Sequence, residues 1–187
     1  MLTDNRGIAT TRGVRNNNPM NLRKGVAFQY QVENPSETAF MTFGKTWQGI
    51  RAGVLDLTND ISKGKNTLTS LISQFAPPSE NNTVNYINNV ASATGLKPDE
   101  IIDRKNFALM CKLVSAIISM ENGANALKFV TAQDINEGVK SAFTYRGYKV
   151  NETPAPTPKL PPNPNTELIA LFIGMVAIIF ILKMLIK

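Results

Sequence analysis

KNFALMCKLVSAIISMENG, residues 105–123, is the stretch on which the fold reading turns. Phe107, Cys111, Val114, Ile118 and Glu121 follow one another at spacings of 4, 3, 4 and 3, the repeat of a single helical face. Asn122-Gly123 then supplies a stop. The spacing predicts a long helix from about Lys105 to Glu121, and it puts a carboxylate on the apolar stripe in the last turn. A carboxylate there is desolvated, and the helix C-terminus disfavours its charged form. Such a setting keeps a glutamic acid ready to donate a proton to a glycosidic oxygen. A structural glutamate that caps or salt-bridges a neighbouring loop fits the same pattern.

Upstream, helical spacing recurs. Trp47, Ile50, Val54, Leu57 and Ile61 lie 3 and 4 apart, and Gly64 ends the run. Leu68, Leu71, Ile72 and Phe75 mark a shorter helix closed by Pro77-Pro78. Thr83 can cap another helix, carrying Val84, Ile87, Val90 and Ala91 and closing at Gly95. Thr131 with Asp134 makes a capping-box variant that opens a last helix through Ile135, Val139 and Phe143. Near the start, Phe28, Tyr30 and Val32 alternate, Asn34-Pro35-Ser36 breaks the run, and Thr38–Phe43 can return as a strand. The expected class is mainly α with a small β-hairpin, in one domain over residues 1–150.

Two further segments follow. NETPAPTPKLPPNPNTE, residues 151–167, holds six of the eleven prolines and predicts an extended linker of about 50 Å. LIALFIGMVAIIFIL, from Leu168 to Leu182, is apolar without a polar break. Carried on to Ile186 it gives roughly 28 Å of helix, the thickness of a bilayer core. Residues 168–187 therefore predict one C-terminal transmembrane helix, with Leu168, Phe172 and Ile178 in the lipid and Lys183 reaching the headgroups. A buried core helix is the alternative. No apolar signal segment opens the chain, so the expected topology leaves the domain in the cytoplasm.

The chain has no histidine and one cysteine. This argues against zinc sites, histidine-based triads and internal disulfides, and it leaves acid–base chemistry to carboxylates. No cofactor or metal is implied. A net charge of +6 points to a polyanionic neighbour such as nucleic acid, an anionic membrane or cell wall. Nucleic acid ranks low, because no recognition motif or basic helical stripe is present.

FAPPSENNTVNY, residues 75–86, is a second cluster: a rigid turn, then Glu80, amides and Tyr86. It suits a sugar groove, and capping and dipole effects explain it equally well. With it, RGVRNNNPMNLRKG (12–25), TFGKTWQGIRAG (42–53) and AIISMENG (116–123) resemble, in order, a family of phage-encoded proteins. Members are labelled virion structural proteins or lytic transglycosylases. A weaker resemblance ties NNNPMNL and FAPPSENNTVNY to N-acetylglucosaminidases of the lysozyme superfamily, with the glutamate helix displaced as if circularly permuted. These resemblances imply a lysozyme-like domain in which Glu121 is the acid/base and Asn18, Asn21, Tyr86 and Glu80 line the groove. Met20 stands where the phage family usually has glycine and Met120 where it often has histidine, which puts the turn beside the groove and a neighbour of the acid in doubt.

The implied function is a membrane-anchored virion protein that cleaves peptidoglycan, of lytic transglycosylase type. Its partners would be peptidoglycan, the lipid bilayer and capsid or vertex proteins, and its location the virion membrane, reached through the host inner membrane, with the domain facing the capsid. A hydrolase would need a second carboxylate, for which Glu80 and Glu37 are the nominees. The rival from another class is a non-catalytic structural protein linking membrane to shell.

Overall fold

The computed structural model describes residues 10–76 and 82–150. After a single turn, α1 (Arg12–Arg15), comes a loop lobe and then α2 (Thr46–Ser62). The remaining helices are α3 (Leu68–Phe75), α4 (Thr83–Thr94), α5 (Phe107–Asn122) and α6 (Ala132–Arg146), with a 3-10 turn (Ala124–Lys128) between the last two. Local chemistry sets most of these ends. Thr67 and Ser70 close a reciprocal capping box on α3, and Thr131 and Asp134 do the same on α6. Asn82, rather than Thr83, caps α4 by accepting from the Asn85 amide at 3.1 Å. Gly95 and Gly147 end α4 and α6 in the left-handed conformation that glycine adopts without penalty.

α5 is the central element. Phe107, Met110, Cys111, Leu113, Val114, Ile117 and Ile118 are all buried, and the helix packs on α4, α6 and the 3-10 turn. α2 pairs most extensively with α6. That approach is close because Gly138 has no side chain: a Cβ there would lie 2.6 Å from Ile50 Cγ2 and 2.8 Å from the Trp47 carbonyl.

The expected β-hairpin is corrected by the structure. Among the described residues no strand forms, and only two isolated antiparallel bridges occur, Arg23 with Phe40 and Gln31 with Phe43. Residues 39–43 do return as an extended segment, but they pair with two separate pieces of chain. Met41 N donates to Leu22 O and Lys24 N to Ala39 O, whereas Val32 N donates to Thr42 O, each at 2.9 Å. Between these contacts Tyr30 takes φ +71°, a left-handed turn that a ladder cannot pass through. The fold class is therefore mainly helical, and the small hairpin expected within a lysozyme-like domain does not form among the described residues. No helix among the described residues is long and apolar enough to cross a membrane. The expected linker (151–167) and span (168–187), with Leu168, Phe172, Ile178 and Lys183, lie outside the described residues, as does Glu80.

Candidate functional site

The lobe after α1 is built from asparagines. Asn17 and Asn21 both sit at positive φ, +49° and +52°, a region that asparagine enters more readily than other side-chain-bearing residues. Asn17 fixes the lobe to the start of α2: its Nδ2 donates to the Phe43 carbonyl and its Oδ1 accepts from Thr46 Oγ1, each at 3.0 Å. Its carbonyl oxygen lies against α2 where Gly49 leaves room, since a Cβ at Gly49 would fall 1.9 Å from it.

The turn at Asn21 aims its amide at the end of α5. Asn21 Nδ2 donates to Glu121 Oε2 at 2.9 Å, and from α4 the Tyr86 hydroxyl donates to Glu121 Oε1 at 3.0 Å. Three of the residues expected at the site thus meet, from elements 100 and 35 positions apart in sequence. Glu121 is half-buried while Tyr86 is buried. Burial pushes the Tyr86 phenol well above its usual range, and the charge and hydrogen bond of Glu121 push it further. The phenol therefore keeps its proton at any ordinary pH and can donate it in the hydrogen bond to Glu121.

Asn18 does not join this group. It is fully buried, and its Nδ2 donates to the Leu22 and Met41 carbonyls at 2.9 and 3.0 Å while its Oδ1 accepts from the Leu22 amide at 3.0 Å. It braces the lobe from inside. Glu37, the other nominee for a second carboxylate, is also committed to the lobe. Its Oε2 accepts from Asn16 Nδ2 at 3.0 Å and lies 3.7 Å from Arg12 Nε, and its Oε1 accepts from the Ala39 and Phe40 amides. The Asn16 bond foremost, then those amides and Arg12, hold its carboxyl below the ordinary glutamate range.

Sequence reasoning missed Asn122, which it treated only as a helix stop. The residue is buried; its Nδ2 donates to the Pro19 carbonyl at 2.6 Å and its Oδ1 accepts from Thr11 Oγ1 at 2.5 Å. One side chain therefore staples both flanks of the asparagine loop to the helix end that carries Glu121. Gly13 permits this, because a Cβ there would lie 2.5 Å from Asn122 Oδ1 and 2.8 Å from Asn21 Oδ1. An amide directly beside the candidate acid was the available signal. Met20, the departure noted above, lies over α2, where a Cβ on Gly53 would come 2.3 Å from its sulfur. Met120 packs on the core, and Asn89 Nδ2 approaches its sulfur at 3.6 Å.

Over 137 residues the chain is 35% identical to Protein P5 of Pseudoalteromonas phage PM2, a match covering 71% of this chain and 82% of that protein. The chain belongs to the Protein P5 family. No family model matches it. Kinship to Protein P5 bears out the phage family read from the sequence blocks. The Asn21–Glu121–Tyr86 cluster is thus the feature of this Protein P5 relative with the most evident chemistry: a carboxylate at a helix end, with a buried phenol on one oxygen and an amide on the other.

Proposed function

We propose that this chain is a phage virion protein that cleaves the glycan strands of peptidoglycan by lytic transglycosylation, with Glu121 as acid and base. The observation that carries the reading is the pair of donors, Asn21 and Tyr86, holding the Glu121 carboxyl group at the end of α5. One carboxyl group suffices for this chemistry. Glu121 gives its proton to the oxygen linking N-acetylmuramic acid to N-acetylglucosamine as the C1–O bond breaks. As carboxylate it takes the proton of the muramyl 6-hydroxyl while O6 bonds to C1, closing an anhydro ring and restoring the acid. No water is consumed, so the step needs no second carboxylate to activate one. Asn21 and Tyr86 orient the carboxyl group, and Asn18 supports the loop that carries Asn21. The family kinship supports a phage product, and the apolar run at 168–187 behind the proline-rich segment supports a membrane anchor on a tether of about 50 Å.

A zymogram of the full chain in detergent tests this. The parent should clear peptidoglycan and release fragments one water lighter than hydrolysed ones, and Glu121→Gln should lose at least about 100-fold of that rate. A Glu121→Gln variant that clears as fast as the parent sinks the assignment.

One observation favours a second reading. Both Glu121 oxygens already have partners within the chain, so the cluster also works as a tie between the lobe, α4 and α5. A non-catalytic virion protein linking membrane to shell would use it in that way, and a folded parent that clears nothing would select it.

A further inference from the structure

We propose that Arg51, with Tyr30, Trp47 and Tyr145, forms a second binding site that takes a carboxylate carried on a sugar ring. Arg51 lies on α2 and is only 3% exposed. Its guanidinium is held between two rings, with Cζ 5.5 Å from the Tyr30 centroid and 5.1 Å from that of Tyr145. Trp47, one turn earlier on α2, meets Tyr30 edge to face with centroids 5.3 Å apart.

Aromatic faces offset part of the loss of solvation of a buried cation, yet they accept no conventional hydrogen bond. Arg51 Nη1 is buried with no hydrogen-bond partner among the described residues. A buried guanidinium left in that state lacks the anion that normally accompanies one. Gln31, next along the chain from Tyr30, holds another buried polar atom, Oε1, without a hydrogen-bond partner among the described residues. Its amide presents a donor instead when turned end for end.

The two rings beside Arg51 are themselves exposed to solvent. Tyr145 is 68% exposed in the last turn of α6, and Tyr30 is 41% exposed and held at φ +71°, a backbone state that a bulky residue rarely adopts. Swinging either ring uncovers the guanidinium without opening the core, and it leaves an aromatic wall for the apolar face of a sugar. The carboxylate satisfies Nη1, and the rings stack on the pyranose. None of these four residues takes part in the Glu121 cluster.

The choice of sugar rests on the peptidoglycan reading above: where no stem peptide is attached to it, the lactyl group of N-acetylmuramic acid carries a carboxylate that N-acetylglucosamine lacks. Trp47 is the sole tryptophan of the chain, so its fluorescence reports on this site. The full chain in detergent micelles is titrated with each of the two sugars. The expected result is a saturable change with N-acetylmuramic acid and binding at least about 10-fold weaker for N-acetylglucosamine and for Arg51→Met, the loss of one charge-assisted contact. Glu121→Gln should bind as the parent does, so a failure of the catalytic reading appears in the zymogram and leaves this titration intact. No saturable change, equal affinity for the two sugars, or parental affinity in a folded Arg51→Met variant overturns the proposal. If Arg51→Met does not fold, Tyr145→Ala replaces it, because that ring is exposed; unchanged affinity there overturns the proposal equally.

Discussion

Truncating Asn122 to alanine should cost the domain about 3 kcal/mol, although no substrate-facing group is touched. The side chain makes two long-range bonds, to the Pro19 carbonyl at 2.6 Å and from Thr11 Oγ1 at 2.5 Å. Its third contact, to the Ile118 carbonyl at 3.2 Å, falls on an oxygen inside α5 and is not counted. Two net hydrogen bonds are worth about 2 kcal/mol, and leaving the Pro19 carbonyl without this donor adds about 1 kcal/mol or more. For a domain of this size each kcal/mol moves the melting temperature by about 3–4 °C, so Asn122→Ala should melt about 10 °C below the parent when followed by circular dichroism. Asn122→Asp should be at least as damaging. It preserves shape but sets a carboxylate oxygen against the Pro19 carbonyl, acceptor to acceptor. An Asn122→Ala variant that melts within about 2 °C of the parent would show that the loop holds its place without this staple, and the account of how Asn21 reaches Glu121 would fall with it.

Further expectations concern titration and reactivity. Glu37 has a lowered pKa in the fold, so its contribution to stability is present above the ordinary glutamate value of 4.5 and is lost as pH falls through the folded value. The urea midpoint of the parent should therefore exceed that of Glu37→Gln at neutral pH and converge on it in acid. Asp56 has the opposite sign. Burial first, then the charge of Asp60, raises its carboxyl above the ordinary 3.8, so ionisation costs the fold stability as pH rises through that region. Asp56→Asn should raise the urea midpoint at neutral pH, and the gain should vanish once the pH drops below the ordinary aspartate value. Cys111 is buried and its thiol is pushed up to about 12 by burial. Iodoacetamide at mildly alkaline pH should leave it unmodified in the native protein and alkylate it in urea.

The helices were readable because their signals are local. The 3–4 spacing of α5, the Thr131–Asp134 box and the closing Gly95 each act within a turn or two of chain, and all reappear. The lobe was not readable for the same reason reversed. Alternation at Phe28, Tyr30 and Val32 is a strand signal only if the backbone stays extended, and Tyr30 turns it through the left-handed region. The partners of the returning segment lie on both sides of that turn, a choice made by tertiary packing. Within NNNPMN the asparagines look interchangeable, yet Asn17 anchors α2, Asn18 braces the interior and only Asn21 reaches Glu121. Nothing in their spacing separates these roles. Helical spacing singled out Glu121, whereas the groove roles of Asn21 and Tyr86 came only from the resemblances to phage proteins and N-acetylglucosaminidases, and Asn122 escaped notice because its partner, Pro19, lies 103 positions away.

The same geometry determines how well the central test separates chemistry from folding. Glutamine at position 121 keeps one carbonyl oxygen and gains an NH2. Asn21 offers only a donor through Nδ2, so the glutamine oxygen belongs on that side, facing the bond now made at 2.9 Å. Its NH2 then faces Tyr86, whose hydroxyl can rotate to accept as readily as it donates. Both contacts survive as neutral hydrogen bonds, each weaker than the charge-assisted one it replaces, and the tie between the lobe, α4 and α5 persists. Alanine at 121 would instead remove the tie and the acid together, and lost clearing would then carry no information. A Glu121→Gln protein that keeps the parental helix signal and melts within a few degrees of the parent, yet clears no peptidoglycan, has lost proton transfer and little else. The carboxyl group would then be needed for its proton, beyond any service as a strut.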